Sequence, residues 1–293
     1  MEACFNTARR LGRQRRLVKS GFLPSRKNVL RRVGPLYLPG MKRVLFLLLF
    51  CVSLASAQTV PLSDAQALAI GKRIWKNECA GTVSGLTSWN RGEDFASLGI
   101  GHFIWYPAGL RGPFEESFPA LVTTLAADGV KVPAWLRGAC PWKTRAAFMA
   151  DFNGPRLSQL RSLLAETVAQ QARFCADRLE RALPKMLSTA PKGERERIRA
   201  NFHRVAAAPL GMYALIDYVN FKGEGTNPTE RYAGEGWGLL QVLAAMGDGP
   251  APSAFAKAAD HVLTRRVANS PKARHEAQWL PGWRNRVATY AGG

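Results

Sequence analysis

From Leu62 onward the alternation of apolar and polar positions is mostly helical. Ser63-Asp-Ala-Gln66 opens a helix, because the Ser63 hydroxyl can cap it while the Gln66 side chain reaches back three residues. Ala67, Ile70, Ile74 and Glu78 then fall on one face at steps of three and four, so a carboxylate ends an otherwise apolar stripe. Between 80 and 107 the pattern changes: Gly81, Gly85, Gly92, Gly99 and Gly101 interrupt the helix. Residues 97–106 read as short strands with turns, and Pro107 closes them. Near 115 the helical period returns. Leu157, Leu160, Leu164, Val168, Ala172, Cys175, Leu179 and Ala182 predict one long helix that Pro184 ends or kinks. A polar helix near 193–206, an apolar one over 212–219 and helices at 237–246 and 252–268 follow. There is no internal repeat and no low-complexity segment. The expected fold class is mainly α: one α-rich domain over 58–293 with a small β-hairpin or sheet near 95–107.

The first 57 residues have a different character. Met41-Lys-Arg43, about a dozen apolar residues and Ala55-Ser-Ala57 make a secretory signal peptide, with cleavage before Gln58. The apolar run is short for a membrane span, so no stable span is expected once it is removed. Residues 1–40 carry ten basic residues and no apolar periodicity; they read as a start assigned too early, with Met41 as the true start, or as a basic extension. Charge follows the same division. The chain has 41 Lys+Arg against 21 Asp+Glu, a formal charge of +20. Residues 1–57 hold twelve basic residues and one acid, Glu2, so +11 falls there and +9 on 58–293. With 47% hydrophobic residues, wholesale disorder and collagen-like repeats are excluded. Export implies a periplasmic or extracellular location and argues against a nucleic-acid partner for the basic arm.

The exported part keeps Cys79, Cys140 and Cys175, an odd count that allows at most one internal disulfide. Cys175 lies on the apolar stripe and reads as a core thiol; a Cys79–Cys140 bridge is left open. His102, His203, His261 and His275 are scattered singly, and no His/Cys spacing resembles a metal site, so neither metal nor cofactor is expected.

Chemistry converges on one region. Glu78, shielded by the apolar face of its helix, is expected to hold its proton more tightly through desolvation, as a general acid requires. Glu93-Asp94 follows in a Gly-flanked loop, then Ser97-Leu-Gly-Ile-Gly-His102, whose glycines permit tight turning and close approach to a ligand. Trp89, Trp105 and Tyr106 are rings of the kind that stack on sugars. Paired carboxylates with aromatics around them are the equipment of glycoside hydrolysis.

Glu78 at the end of the first helix, followed by the Gly99-Ile-Gly-His102 turn out of a small sheet, resembles the phage-type lysozymes of the lysozyme-like superfamily. The resemblance implies that Glu78 is the catalytic acid and that a second acid follows in the loop. It also implies a small hydroxyl residue, here Ser97 in place of the usual Thr, two positions before the Gly-x-Gly-His. Ala214-Leu-Ile-Asp-Tyr-Val-Asn-Phe-Lys-Gly223 is similar to the family's later helix, whose Asn-x-x-Gly end lines the cleft and here offers Asn220. Leu280-Pro-Gly-Trp-Arg-Asn-Arg-Val287 is similar to its terminal Arg-rich helix. The chain departs from the pattern in three ways. Cys79 stands where the family has Gly, and the stretch from Glu78 to Gly99 is a few residues longer, so Glu93 is the first choice for the second acid and Asp94 the second, with Arg91 in strict register. The segment 108–210 is longer than a compact phage enzyme carries and reads as an insertion. Glu235-Gly-Trp-Gly-Leu-Leu-Gln-Val242 is similar to the Gly-Leu-Met-Gln segment of lytic transglycosylases, and places Glu224, Glu235, Trp237 and Gln241 as cleft candidates, or else as a Gly-rich loop entering a buried helix.

Together these imply a secreted enzyme that cleaves peptidoglycan glycan strands: Glu78 protonates the glycosidic oxygen, Glu93 or Asp94 activates or orients water, Ser97 helps hold that water and His102 braces the turn. A working inverting pair needs carboxyl groups about 6.5–9.5 Å apart. The alternatives are a non-catalytic lysozyme-like envelope-binding or scaffolding module and a lytic transglycosylase, which uses a single Glu. Sequence leaves the oligomeric state open.

Overall fold

The computed structural model describes residues 62–112 and 114–292. The segment 41–57 expected to be a signal peptide and the basic segment 1–40 lie outside the described residues. Among the described residues are ten α-helices and one three-stranded antiparallel sheet, which bears out the mainly α class with a small sheet.

Helix α1 (Asp64–Cys79) starts at Ser63, where the reciprocal Ser63–Gln66 capping box forms as the sequence implies. Its stripe of Ala67, Ile70 and Ile74 is buried, and Glu78 is buried with it. Strands β1 (Thr87–Ser88), β2 (Ala96–Leu98) and β3 (Phe103–Trp105) pair in chain order, with Ser88 opposite Ser97 and Leu98 opposite Phe103. Helices α2 (Phe118–Ala127) and α3 (Arg145–Ala150) follow.

The long helix expected over 157–182 is two: α4 (Pro155–Glu166) and α5 (Val168–Thr189). The break falls at Thr167, whose hydroxyl donates back to the Leu163 carbonyl (2.8 Å). Pro184 neither ends α5 nor stops its apolar stripe, since Met186 and Leu187 beyond it are buried. An interior proline costs about 3 kcal/mol, and burying two side chains of this size returns about 1.5–3 kcal/mol each. Helices α6 (Arg195–Ala206), α7 (Gly211–Lys222), α8 (Leu239–Ala245), α9 (Ala251–Asn269) and α10 (Leu280–Ala288) complete the order.

Within the segment 108–210, α5 contributes to the common core. Helix α5 lies along α1, close enough that a Cβ on Gly71 would stand 2.6 Å from Val168 Cγ1. Ala172, Cys175 and Leu179 of α5 share one hydrophobic core with Ala67 and Ile74 of α1 and with the sheet residues Leu98 and Phe103.

Candidate active site

The end of α1 is fixed from two sides. Ala80 adopts a left-handed conformation (φ 53°) and reverses the chain, and the Thr82 hydroxyl donates to the Cys79 carbonyl (2.9 Å). Opposite lies the turn between β2 and β3. Gly99 is left-handed (φ +71°), and a Cβ there would stand 2.4 Å from Gln171 Oε1; a Cβ on Gly101 would stand 2.8 Å from the Phe103 ring. The glycines therefore serve close approach to α5 and to the turn's own ring. Gln171 secures this contact: its Oε1 accepts from Ile100 N (3.0 Å) while its Nε2 donates to the Leu164 carbonyl (2.6 Å) and the Thr167 hydroxyl (3.1 Å). The helix break at Thr167 and the turn that carries His102 are thus tied by one buried amide.

This geometry brings Glu78 and His102 together. Glu78 is 6% exposed, and its Oε2 lies 3.5 Å from His102 Nδ1. On its other side Arg286 of α10 pairs with Glu78 Oε1. The expected apolar surround is thus only half right: the carboxylate is buried, but a guanidinium faces it. Arg286 is shared with Asp217 of α7, donating from Nε to Oδ2 and from Nη2 to Oδ1, both at 2.8 Å. Asp217 is fully buried and also accepts from Asn77 Nδ2 (3.0 Å) and the Tyr290 hydroxyl (2.5 Å). The guanidinium stacks over the Phe221 ring at 4.4 Å. Burial alone would lower the Arg286 pKa, but the charges of Glu78 and Asp217 raise it, so it stays cationic. Burial lowers that of His102, with Glu78 pulling up and Arg286 down, which keeps the imidazole neutral. Cys79 Sγ lies 3.8 Å from His102 Nε2 and from the Gly99 carbonyl; burial, with a smaller push from Glu78, raises its pKa to about 12.

The other expected residues separate into groups. Ser97 is fully buried on β2, and its hydroxyl has no hydrogen-bond partner among the described residues; the same holds for the buried Nδ2 of Asn220, one turn beyond Asp217. Glu93 and Asp94 lie beyond the Ala96 end of β2, the end away from the 99–102 turn. Glu93 Oε2 accepts from Asn90 (3.2 Å), and Asp94 is exposed. The carboxylate that joins Glu78 through a shared partner is Asp217.

The aromatic platform needs correction. The Trp105 ring packs between Phe118 (centroids 4.8 Å) and Trp135 (6.4 Å), and Trp89 is buried against Phe148 with its Nε1 donating to the Glu93 carbonyl (2.8 Å). Tyr106 packs edge-on against Phe95 and borders an open cavity of about 630 Å³ with Leu110, Arg111, Phe114 and Glu116; Glu78, Ser97 and His102 do not line that cavity.

The segment 224–241 is likewise engaged with the chain itself. Glu224 pairs with Lys185 (3.1 Å), Glu235 with Arg265 (2.6 Å), and the Trp237 ring is covered by Arg266 at 4.2 Å. Gln241 accepts from Gly238 N (2.9 Å) and donates to the Gly225 carbonyl (3.1 Å). A Cβ on Gly238 would stand 2.1 Å from Gly225 N, so these glycines let two strands of loop cross in contact. The Gly-rich loop entering a buried helix is what forms, and the motif's polar groups hold it there.

Cys79, Cys140 and Cys175 are free and buried, so the Cys79–Cys140 bridge is not made. No group of three or more His, Cys, Asp and Glu among the described residues is placed to hold a metal ion, and no helix among them is long and apolar enough to cross a membrane.

Comparison with protein-family models, with curated proteins and with solved structures finds no match to this chain. The site is therefore read from its own geometry. A buried carboxyl beside a neutral imidazole, facing one guanidinium that it shares with a second carboxylate, has the components for proton transfer.

Proposed function

We propose that the chain is an exported glycosidase that cleaves peptidoglycan glycan strands, with Glu78 as the general acid. The observation that carries this reading is the placement of Glu78: a buried carboxyl at the C-terminal end of α1, 3.5 Å from His102 at the turn of a three-stranded sheet. The unpartnered Ser97 hydroxyl lies on the strand leading into that turn. A buried carboxyl beside groups that hold and orient it is what proton donation to a glycosidic oxygen requires. Ser97 supplies a hydroxyl to hold water, and His102 braces the turn and orients Glu78. The signal-like segment 41–57 and the +9 charge of 58–293 accord with export to an anionic envelope, since charge attraction concentrates a basic protein on such a surface.

A second reading, a non-catalytic envelope-binding module, is favoured by one observation: Glu78 is already paired with Arg286 while Glu93 and Asp94 lie beyond the far end of β2. The same separation suits single-Glu transglycosylation better than a two-acid mechanism. Dye-labelled peptidoglycan sacculi separate these readings. Glu78-dependent release of dye by the purified protein is the expected outcome. Retention of the protein on sacculi without any release points to the binding module.

A further inference from the structure

One guanidinium serves two buried carboxylates at the junction of α1, α7 and α10, and it serves them unequally. Arg286 gives Asp217 its whole Nε–Nη2 edge, two bonds at 2.8 Å, and gives Glu78 a single contact from Nη2. Asp217 collects two further donors, Asn77 Nδ2 and the Tyr290 hydroxyl, so four hydrogen bonds hold its anionic form. Glu78 has the one contact from Arg286 and His102 at 3.5 Å. With both acids ionised the triad carries a net negative charge in a buried place, which is costly. One proton makes it neutral, and the two carboxyls differ in their surroundings: four donors face Asp217 and one contact from Arg286 faces Glu78. Two like charges sharing a site cannot both ionise freely, and their surroundings decide which gives way.

Resting on the reading of Glu78 as a general acid, we propose that Asp217 is a positioning residue that claims the charge of Arg286 and so leaves the proton on Glu78. The other titratable groups facing the triad do not compete for this part. Cys79 on α1 and Tyr290, just past the end of α10, are held in their protonated, neutral forms by burial, as is Tyr213 on α7, whose hydroxyl accepts from Asn77 (2.8 Å). Burial lowers the pKa of His102 in the 99–102 turn, and Arg73 stacks over the Tyr213 ring at 5.6 Å.

Replacing Asp217 by Asn leaves Arg286 with Glu78 alone, which favours the ionised form of Glu78. The pH–kcat/KM profile of glycan cleavage by Asp217→Asn is then expected to lose activity on its alkaline limb about one pH unit or more below the parent, with activity recovered at acid pH. Asp217→Glu, which keeps the charge, restores the parent's limb. A uniform loss of kcat with the limb unmoved would mean that Asp217 is merely structural, and would overturn the proposal. A second measurement needs neither a variant nor activity: the carboxyl carbons of Glu78 and Asp217 are followed by NMR in the parent as pH falls. Glu78 taking its proton at higher pH than Asp217 supports the proposal, and the reverse order overturns it. Because this titration is read without substrate, it stands even where the glycosidase reading fails for want of product.

Discussion

Arg286 stands between Glu78 and Asp217, and its loss leaves two buried carboxylates without a cation. Removing one partner of a buried ion pair costs about 3–5 kcal/mol, so Arg286→Met should lower stability by that amount, measured by urea unfolding at pH 7. His102 makes a smaller, pH-dependent contribution. Its pKa in the fold is lowered, mainly by burial, so the unfolded chain binds a proton that the folded one refuses. Stability should therefore fall as pH drops below about 6.5, by at most about 1.4 kcal/mol per pH unit for the one proton. His102→Asn, which tolerates the left-handed backbone at φ 48°, should flatten the unfolding free energy over that range. Glu78 was legible in the sequence because it ends an apolar stripe. Asp217 carries a weaker signal in the sequence: a lone acid within the apolar run 212–219 must find a partner. That partner is 69 residues away, and no local pattern points to it.

Among the elements, α1 was legible because its cap is local: Ser63 and Gln66 are three residues apart. Ser63→Ala should cost about 1 kcal/mol, measured by thermal unfolding. The division of α4 from α5 was not legible, because Leu160, Leu164, Val168 and Ala172 keep a helical period through Thr167, and the break depends on hydrogen bonds that periodicity does not register. The glycines of the 99–102 turn were visible as necessary, but the surface they approach is α5, distant in sequence. Gly99→Ala puts a Cβ against Gln171 in a left-handed conformation that by itself costs about 1–2 kcal/mol. It should destabilise the protein by at least that and reduce glycan cleavage at 37 °C, with residual activity tracking the folded fraction seen by near-UV circular dichroism.

At the scale of the whole molecule, the helical core that unites α1, α5 and the sheet encloses all three described cysteines. Burial raises the thiol pKa of Cys79 and Cys175 to about 12 and that of Cys140 to about 11. None of the three should react with a disulfide reagent at pH 8 until denaturant is added, as read by absorbance, because the thiolate is the nucleophile. The class of fold was legible from composition and period; the crossing of Gly225 with Gly238 and the covering of Trp105 were not, since each depends on which distant segment arrives there.

In the proposed reaction Glu78 donates the proton that breaks a glycan strand. Its most direct test is a digest of defined peptidoglycan strands by the purified protein beside Glu78→Gln, with fragment masses read by mass spectrometry. The parent is expected to cleave the strands and the variant to do so at least a hundredfold more slowly, the scale of a lost general acid (about 10²–10⁴). Cleavage by Glu78→Gln at the parent rate would contradict it.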